Sequence, residues 1–237
     1  MKVRFEYVDK VIAVTSDNGQ NMANALEDHL KIKYVIGCFA HTVHLDVDKA
    51  FKVQRISHIL SKCRQVVEHF NRSSKSNCLL RQVQIAGGRN ERDVLQLVQD
   101  VPTRWTTARA MLRRLVDLYT FVHSVLSNSS QKNIRELALL PEGVYQMRDL
   151  ATALEPLCEV MQGMSGEKYS SIALVEPIVT TLMSKTLTAV ESDTPVVFEL
   201  KKAALDNLKT RYGLWHKRHY SIRVSKTSAT YMTRISD

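Results

Sequence analysis

A mostly helical α/β fold, two short strands with flanking helices ahead of a long all-helical region, is predicted by three features of this 237-residue sequence. Val11-Ile12-Ala13-Val14 is an unbroken apolar, largely β-branched run, the pattern of a strand buried on both faces. Beyond residue 45 the apolar residues recur every three or four positions, the period of amphipathic helices. Only 8 glycines and 5 prolines are present, too few for a turn-rich all-β fold.

Taken in order, the first strand ends near Asp17, at the edge where open α/β sheets bind ligands and metals. A helix follows to about Leu30, with Met22, Ala25, Leu26 and Leu30 at helical spacing and Ser16 or Asn18 as its cap. Tyr34-Val35-Ile36-Gly37 is the second strand and leads into Cys38-Phe39-Ala40-His41-Thr42-Val43-His44-Leu45. Next, Ile56, Ile59, Leu60, Cys63, Val66, Val67 and Phe70 form one stripe, with Gln54, Ser57, Ser61, Gln65 and Glu68 opposite. Asn71 to Asn77 is predicted to be a polar loop and Gly87-Gly88-Arg89-Asn90 a second break. A long stripe from Trp105 to Leu126 follows Pro102, with Thr103 as its cap.

After a polar loop at Ser127 to Asn133, Val144, Met147, Leu150, Leu154, Leu157, Cys158 and Met161 restore helical spacing. Pro156 has no amide to donate and is predicted to kink this segment, which Gly163 and Gly166 end. Ile172 to Val190 is predicted as a further helix, and the last begins at Pro195 and runs to about Tyr212. The four cysteines, Cys38, Cys63, Cys78 and Cys158, have no paired spacing, which suits a reducing compartment. No apolar run is long enough for a bilayer, so no membrane partner is expected, and Met1 to Lys10 has no signal-peptide pattern.

The formal net charge of +9 is unevenly spread. Residues 52–92 hold 9 Lys/Arg against 2 Asp/Glu, and residues 207–237 hold 7 against 1. Such segments attract phosphate backbones by counterion release, although they can equally form a solvated face.

Three motifs in order carry a family resemblance. Ser16-Asp17-Asn18-Gly19-Gln20-Asn21-Met22, Cys38-x-x-His41-Thr42-Val43-His44-Leu45 and Asp100-Val101-Pro102-Thr103-Arg104-Trp105 resemble the hAT-superfamily transposases and their domesticated vertebrate relatives, the zinc finger BED domain-containing proteins. The likeness spans roughly residues 10–212, counting a looser match from Leu154-Glu155-Pro156 through Gly163 to Tyr169. It implies a partial ribonuclease-H-like fold over residues 1–51, a helical insertion domain of hAT type over 52–212, and a divergent basic tail over 213–237 that is expected to be disordered.

The resemblance also assigns roles. Asp17 matches the second of three acidic residues that hold two divalent metal ions for DNA strand cleavage and transfer. The first would lie upstream of this chain and the third beyond it, so Asp17 reads as a relic, or simply as a helix cap. Two-metal chemistry cannot be assembled on one carboxylate, so no cofactor, neither Mg nor Mn, is expected to bind. Asp46, Asp48, Glu155 and Glu159 match no family acid and read as solvated or capping residues. Cys38, His41 and His44 have ligand-type side chains, but without a second close pair zinc is not expected.

Cys38 and His41 are carried over as DNA-facing residues, against a buried thiol and a helix-starting histidine. Trp105 matches a tryptophan that stacks on an exposed base, but it also starts an apolar stripe that reads as core. Arg104 would contact a phosphate, and Arg109 on the same helix is carried as a further nucleic-acid-binding candidate, although Arg109, Arg113 and Arg114 read alone as solubilising charges. Lys217 and Arg218 are the candidate contacts in the tail. The BED finger and the dimerisation region of the family are expected to lie outside this chain.

The sequence therefore predicts a catalytically inactive, domesticated or truncated hAT-transposase-like protein of the nucleus, binding DNA weakly and without sequence preference. Its alternative is a protein-interaction module docking a protein partner or a full-length relative; an active transposase or nuclease ranks last. No small-molecule substrate is expected.

Overall fold

The computed structural model describes residues 13–17, 19–29, 34–164 and 174–223. Two strands, β1 (Ala13–Ser16) and β2 (Tyr34–Gly37), pair in parallel with Ala13 opposite Tyr34 and Ser16 opposite Gly37. β2 has the expected bounds, and β1 reaches Ser16, two residues past the Val11–Val14 run, of which Val11 and Ile12 lie outside the described residues. The connection is α1 (Gln20–Asn24), continued by a π turn at Ala25–His29. Its predicted apolar stripe is only partly used: Leu26 is buried but Met22 is 50% exposed. The capping expectation also fails for Ser16, whose Oγ donates to the Asp17 carbonyl; the cap position is Gly19. Asn18 and Leu30 lie outside the described residues.

The rest is helical. α2 (Phe39–Phe51) buries Phe39, Val43, Val47 and Ala50, and α3 (Gln54–Arg72) buries all seven residues of its predicted stripe. The predicted loop at Asn71–Asn77 is corrected: α4 (Ser74–Ala86) begins one residue after α3 stops, and only Ser73 separates them. Polar composition suggested a loop, but a serine at a helix start satisfies free amides. Ser73 Oγ accepts the Ser76 amide at 3.2 Å, and His69 Nε2 lies 2.9 Å from Ser76 Oγ, fixing the corner. Gly87 and Gly88 then end α4 as predicted. Gly88 has φ +93°, and a Cβ on Gly87 would come within 2.7 Å of Phe121 Cε1.

The long stripe is divided at Leu118 into α5 (Trp105–Asp117) and α6 (Tyr119–Ser127). Thr103 is not its cap: that position is Arg104, and Thr107 Oγ1 accepts the Val101 amide at 2.8 Å. After α7 (Lys132–Arg135), α8 (Pro141–Ala153) and α9 (Glu155–Met164) meet at Leu154. The kink falls there because Pro156, lacking an amide, fits the first turn of a new helix. Gly163 lies inside α9; Gly166 and Ile172 lie outside the described residues. α10 (Val175–Thr181), with a π turn at Leu182–Thr186, is shorter than the predicted Ile172–Val190 helix.

α11 starts at Pro195 as expected but runs to Arg223, past the predicted end near Tyr212, so residues 213–223 are helical where disorder was expected. Residues 224–237 lie outside the described residues.

One apolar core joins these helices, from Phe39 on α2 through Leu112 on α5 and Leu150 on α8 to Leu208 on α11. α2 packs chiefly on α11, α5 on α8, and α4 on α6. Each fully buried leucine stabilises the fold by about 1.5–3 kcal/mol. No helix among the described residues is long and apolar enough to cross a membrane.

Candidate nucleic-acid interface

The parallel register brings the ends of β1 and β2 together, so the residues after them share one edge. The Cys38 amide donates to the Ser16 carbonyl at 2.7 Å, placing Asp17 and the start of α2 side by side. Asp17 is exposed, and its Oδ1 accepts the Gly19 amide at 3.2 Å, a turn that leads the chain into α1. Cys38 is half-buried, and its carbonyl accepts from Thr42 Oγ1. His41, also half-buried, stacks on His44 with ring centroids 5.9 Å apart. Burial, then the neighbouring His41, holds the His44 pKa below its ordinary value, opposed by Asp48.

Asp17 already accepts a backbone amide, and among the described residues no three His, Cys, Asp or Glu side chains converge as a metal site.

A second feature is the turn Val101–Arg104, exposed throughout and closed by the Arg104 amide donating to the Val101 carbonyl at 2.7 Å. The segment leading to it is strapped to the helices. Gln84, fully buried on α4, exchanges two hydrogen bonds with the Leu95 backbone, and Arg114 Nη1 donates to the Gln96 carbonyl at 2.6 Å. Arg64 on α3 donates from Nε and Nη2 to the Asp100 carboxylate at 2.7–3.1 Å. The motif Asp100-Val101-Pro102-Thr103-Arg104-Trp105 thus has two buried anchors, Asp100 and Trp105, and presents the four residues between them.

Two candidates are corrected. Trp105 is 2% exposed and packs in the core with Ala108 and Leu112, so its ring has no face open to a base. Arg109 is neither a solvated charge nor a guanidinium presented to a phosphate: its Nη2 donates to Glu155 Oε1, and Arg113 Nη2 lies 3.2 Å from Glu155 Oε2, tying α5 to α9. Glu155 is accordingly paired, not solvated. Arg104 is exposed as expected, and Arg113 is exposed as well despite its pairing. Lys217 and Arg218 lie on α11, their side chains outside the described residues.

The basic segment 52–92 is less free than its composition suggests. Lys52 pairs with Asp48 at 2.7 Å, Arg55 with Glu199 at 3.0 Å, Arg72 with Glu68 at 2.6 Å and Arg81 with Glu91 at 3.6 Å. Lys62 Nζ donates to the Glu136 carbonyl at 2.6 Å, and Arg89 lies over the Phe121 ring. Lys75 and Arg92 are exposed. Exposed pairs of this kind are each worth about 0–1 kcal/mol, so a phosphate can replace the carboxylate at little cost.

Asp46 was missed as a structural residue. It is buried between α2 and α11 instead of solvated, and Asn207 Nδ2 donates to its Oδ1 at 2.6 Å. Its place on the inner stripe of α2, three residues after Val43 and four before Ala50, was the available signal.

Residues 36–141 match the family model of the ZBED1 RNase-like helical domain. A relative, human zinc finger BED domain-containing protein 4, is 32% identical over 151 residues, covering 63% of this chain and 12% of the relative. The chain is related to the BED-type, hAT-derived proteins. The match begins within β2 and ends at the first residue of α8, so it takes in the Cys38–His44 element and the exposed turn. The chain spans about 12% of the length of the curated relative it matches.

Proposed function

We propose that this BED-type, hAT-derived chain is a nucleic-acid-contacting, catalytically inactive module that acts in the nucleus. The observation that carries the reading is the exposed Val101–Arg104 turn, held at both ends by the buried Asp100 and Trp105. A guanidinium on a fixed turn contacts phosphate without first being ordered, and Lys75, Arg92 and the exchangeable pairs of 52–92 extend the positive surface. Contacts of this type position a backbone and carry no sequence code, so binding is weak, salt-dependent and non-specific.

β1, α1, β2 and α2 correspond to a piece of a ribonuclease-H-like sheet, supported by the parallel pairing and by Asp17 at its carboxyl edge. Inactivity rests on Asp17 being a single carboxylate of the family motif, which cannot by itself hold the two ions of two-metal chemistry. Incubation with supercoiled plasmid and Mg or Mn is expected to leave the DNA intact; nicking lost in Asp17→Asn overturns this part.

A second reading, a protein-interaction module, has Leu140 at 72% and Tyr145 at 62% exposure beside the start of α8 in its favour. Binding to duplexes of two unrelated sequences, measured at low and high salt, separates the two. Equal affinities that fall steeply with salt support nucleic-acid contact; no binding at low salt by the folded chain rejects it.

A further inference from the structure

We propose that Asp46, Asn207 and Arg211 form a protonation-sensitive latch between α2 and α11, held more firmly when the Asp46 carboxyl carries a proton and loosened when it ionises. The geometry is that of a buried carboxylate, its side chain 4% exposed, incompletely satisfied by an arginine whose side chain is 38% exposed. Asp46 Oδ1 takes the Asn207 amide hydrogen at 2.6 Å, while Arg211 Nε stands 3.6 Å from the same oxygen without a hydrogen bond. Asp46 Oδ2 and Arg211 Nε are both buried and have no hydrogen-bond partner. An ionised carboxylate here keeps one oxygen uncompensated, which is costly in a low-dielectric interior.

Among the described residues no other side chain hydrogen-bonds Asp46; Lys49, one turn on along α2, and Asp206 on α11 line the groove beside Asn207 without bonding it. On α2, His44 and Asp48 lie two positions either side of Asp46, turned away around the helix, and Asp48 is held by Lys52. On α9, Glu155 is taken by Arg109 and Arg113 and Glu159 is exposed. On α3, Arg55 is taken by Glu199 and Arg64 by Asp100. Burial pushes the Asp46 pKa up to about 7, against the lowering pulls of Asn207 and Arg211. The latch therefore changes state near neutrality. α11 also packs on β2, α3 and α8, so its docking is coupled to the strand pair and to the helical body.

Hydrogen–deuterium exchange of the full chain, expressed as protection relative to intrinsic rates for amides of residues 196–212, tests this directly. Between about pH 5.5 and about pH 8, protection is expected to fall about tenfold or more in the wild type. In Asp46→Asn the fall disappears, and in Arg211→Gln it moves to higher pH because the carboxyl loses a nearby positive charge. A carbon-13 titration of the Asp46 carboxyl in the wild type is expected to have its midpoint near neutrality, whether or not the variants fold. A midpoint in the ordinary carboxylate range, or an unchanged pH profile in folded Asp46→Asn, overturns the latch.

Discussion

Arg64 grips both carboxylate oxygens of Asp100, with Nε at 2.9 and 3.1 Å and Nη2 at 2.7 Å, across 36 residues of chain. The Asp100 side chain is 1% exposed and that of Arg64 34%, so the pair is half shielded from water. It fixes one end of the only exposed segment in the Asp100–Trp105 motif, and the account of function follows from that anchoring.

Replacing Asp100 by Ala removes the anchor and leaves a guanidinium without its carboxylate. Discounted for the exposure of Arg64, a loss of about 1–3 kcal/mol is expected. Urea unfolding measures it, and limited proteolysis should show faster cleavage near residues 101–104.

Arg104 and Trp105 are adjacent, yet their roles separate. Trp105→Ala opens a cavity in the core and should cost about 3–5 kcal/mol of stability. Arg104→Ala touches an exposed side chain and should change stability by no more than about 0.5 kcal/mol. Unfolding curves of the two variants check the contrast; similar losses would contradict the placement of Trp105.

The thiols differ sharply in environment. Burial pushes the Cys63 pKa up to about 12, and its Sγ sits 3.1 Å from Met147 Sδ, whereas Cys78 is exposed. Iodoacetamide at about pH 8 should modify Cys78 in the native chain and leave Cys63 unmodified until unfolding. Mass spectrometry of peptides reads the order.

Close packing of α4 on α6 depends on Gly87. A methyl group there meets the Phe121 ring, so Gly87→Ala should destabilise by about 1–3 kcal/mol. At Gly88 the space is open but the positive φ disfavours a side chain, and Gly88→Ala should cost about 1 kcal/mol. Thermal unfolding of both variants distinguishes a packing clash from a backbone penalty.

The lowered pKa of His44 sets the sign of one pH effect. The folded state binds this proton less readily than the unfolded chain, so stability is lost as pH falls through the ordinary imidazole value. His44→Gln should flatten this loss between about pH 7.5 and about pH 5, as unfolding at the two pH values would show.

Much of the fold is legible in the sequence because buried stripes impose their period. The seven apolar residues of α3 and the run from Trp105 to Leu126 needed no tertiary information. Residues 71–77 were misread because Ser and Asn serve loops and helix caps alike, and only the packing of α4 on α6 decides between them. The end of α11 was misjudged because a weak apolar pattern after Tyr212 does not forbid a helix that an earlier, well-packed segment has nucleated. At the site, exposure was invisible in the motif: Arg104 and Trp105 are neighbours, and only the direction of α5 sends one outward and one inward. The partners of Arg55 and Arg64, at Glu199 and Asp100, lie far along the chain, so composition overstated the free positive charge.

Contact between the anchored turn and phosphate is read out by the duplex-DNA affinity of wild type and Arg104→Ala across a salt series. Measurable wild-type binding at low salt is expected, with weaker binding by the variant and a log–log salt slope reduced by about 1 at unchanged stability. Identical affinity and slope for the two folded proteins would contradict it.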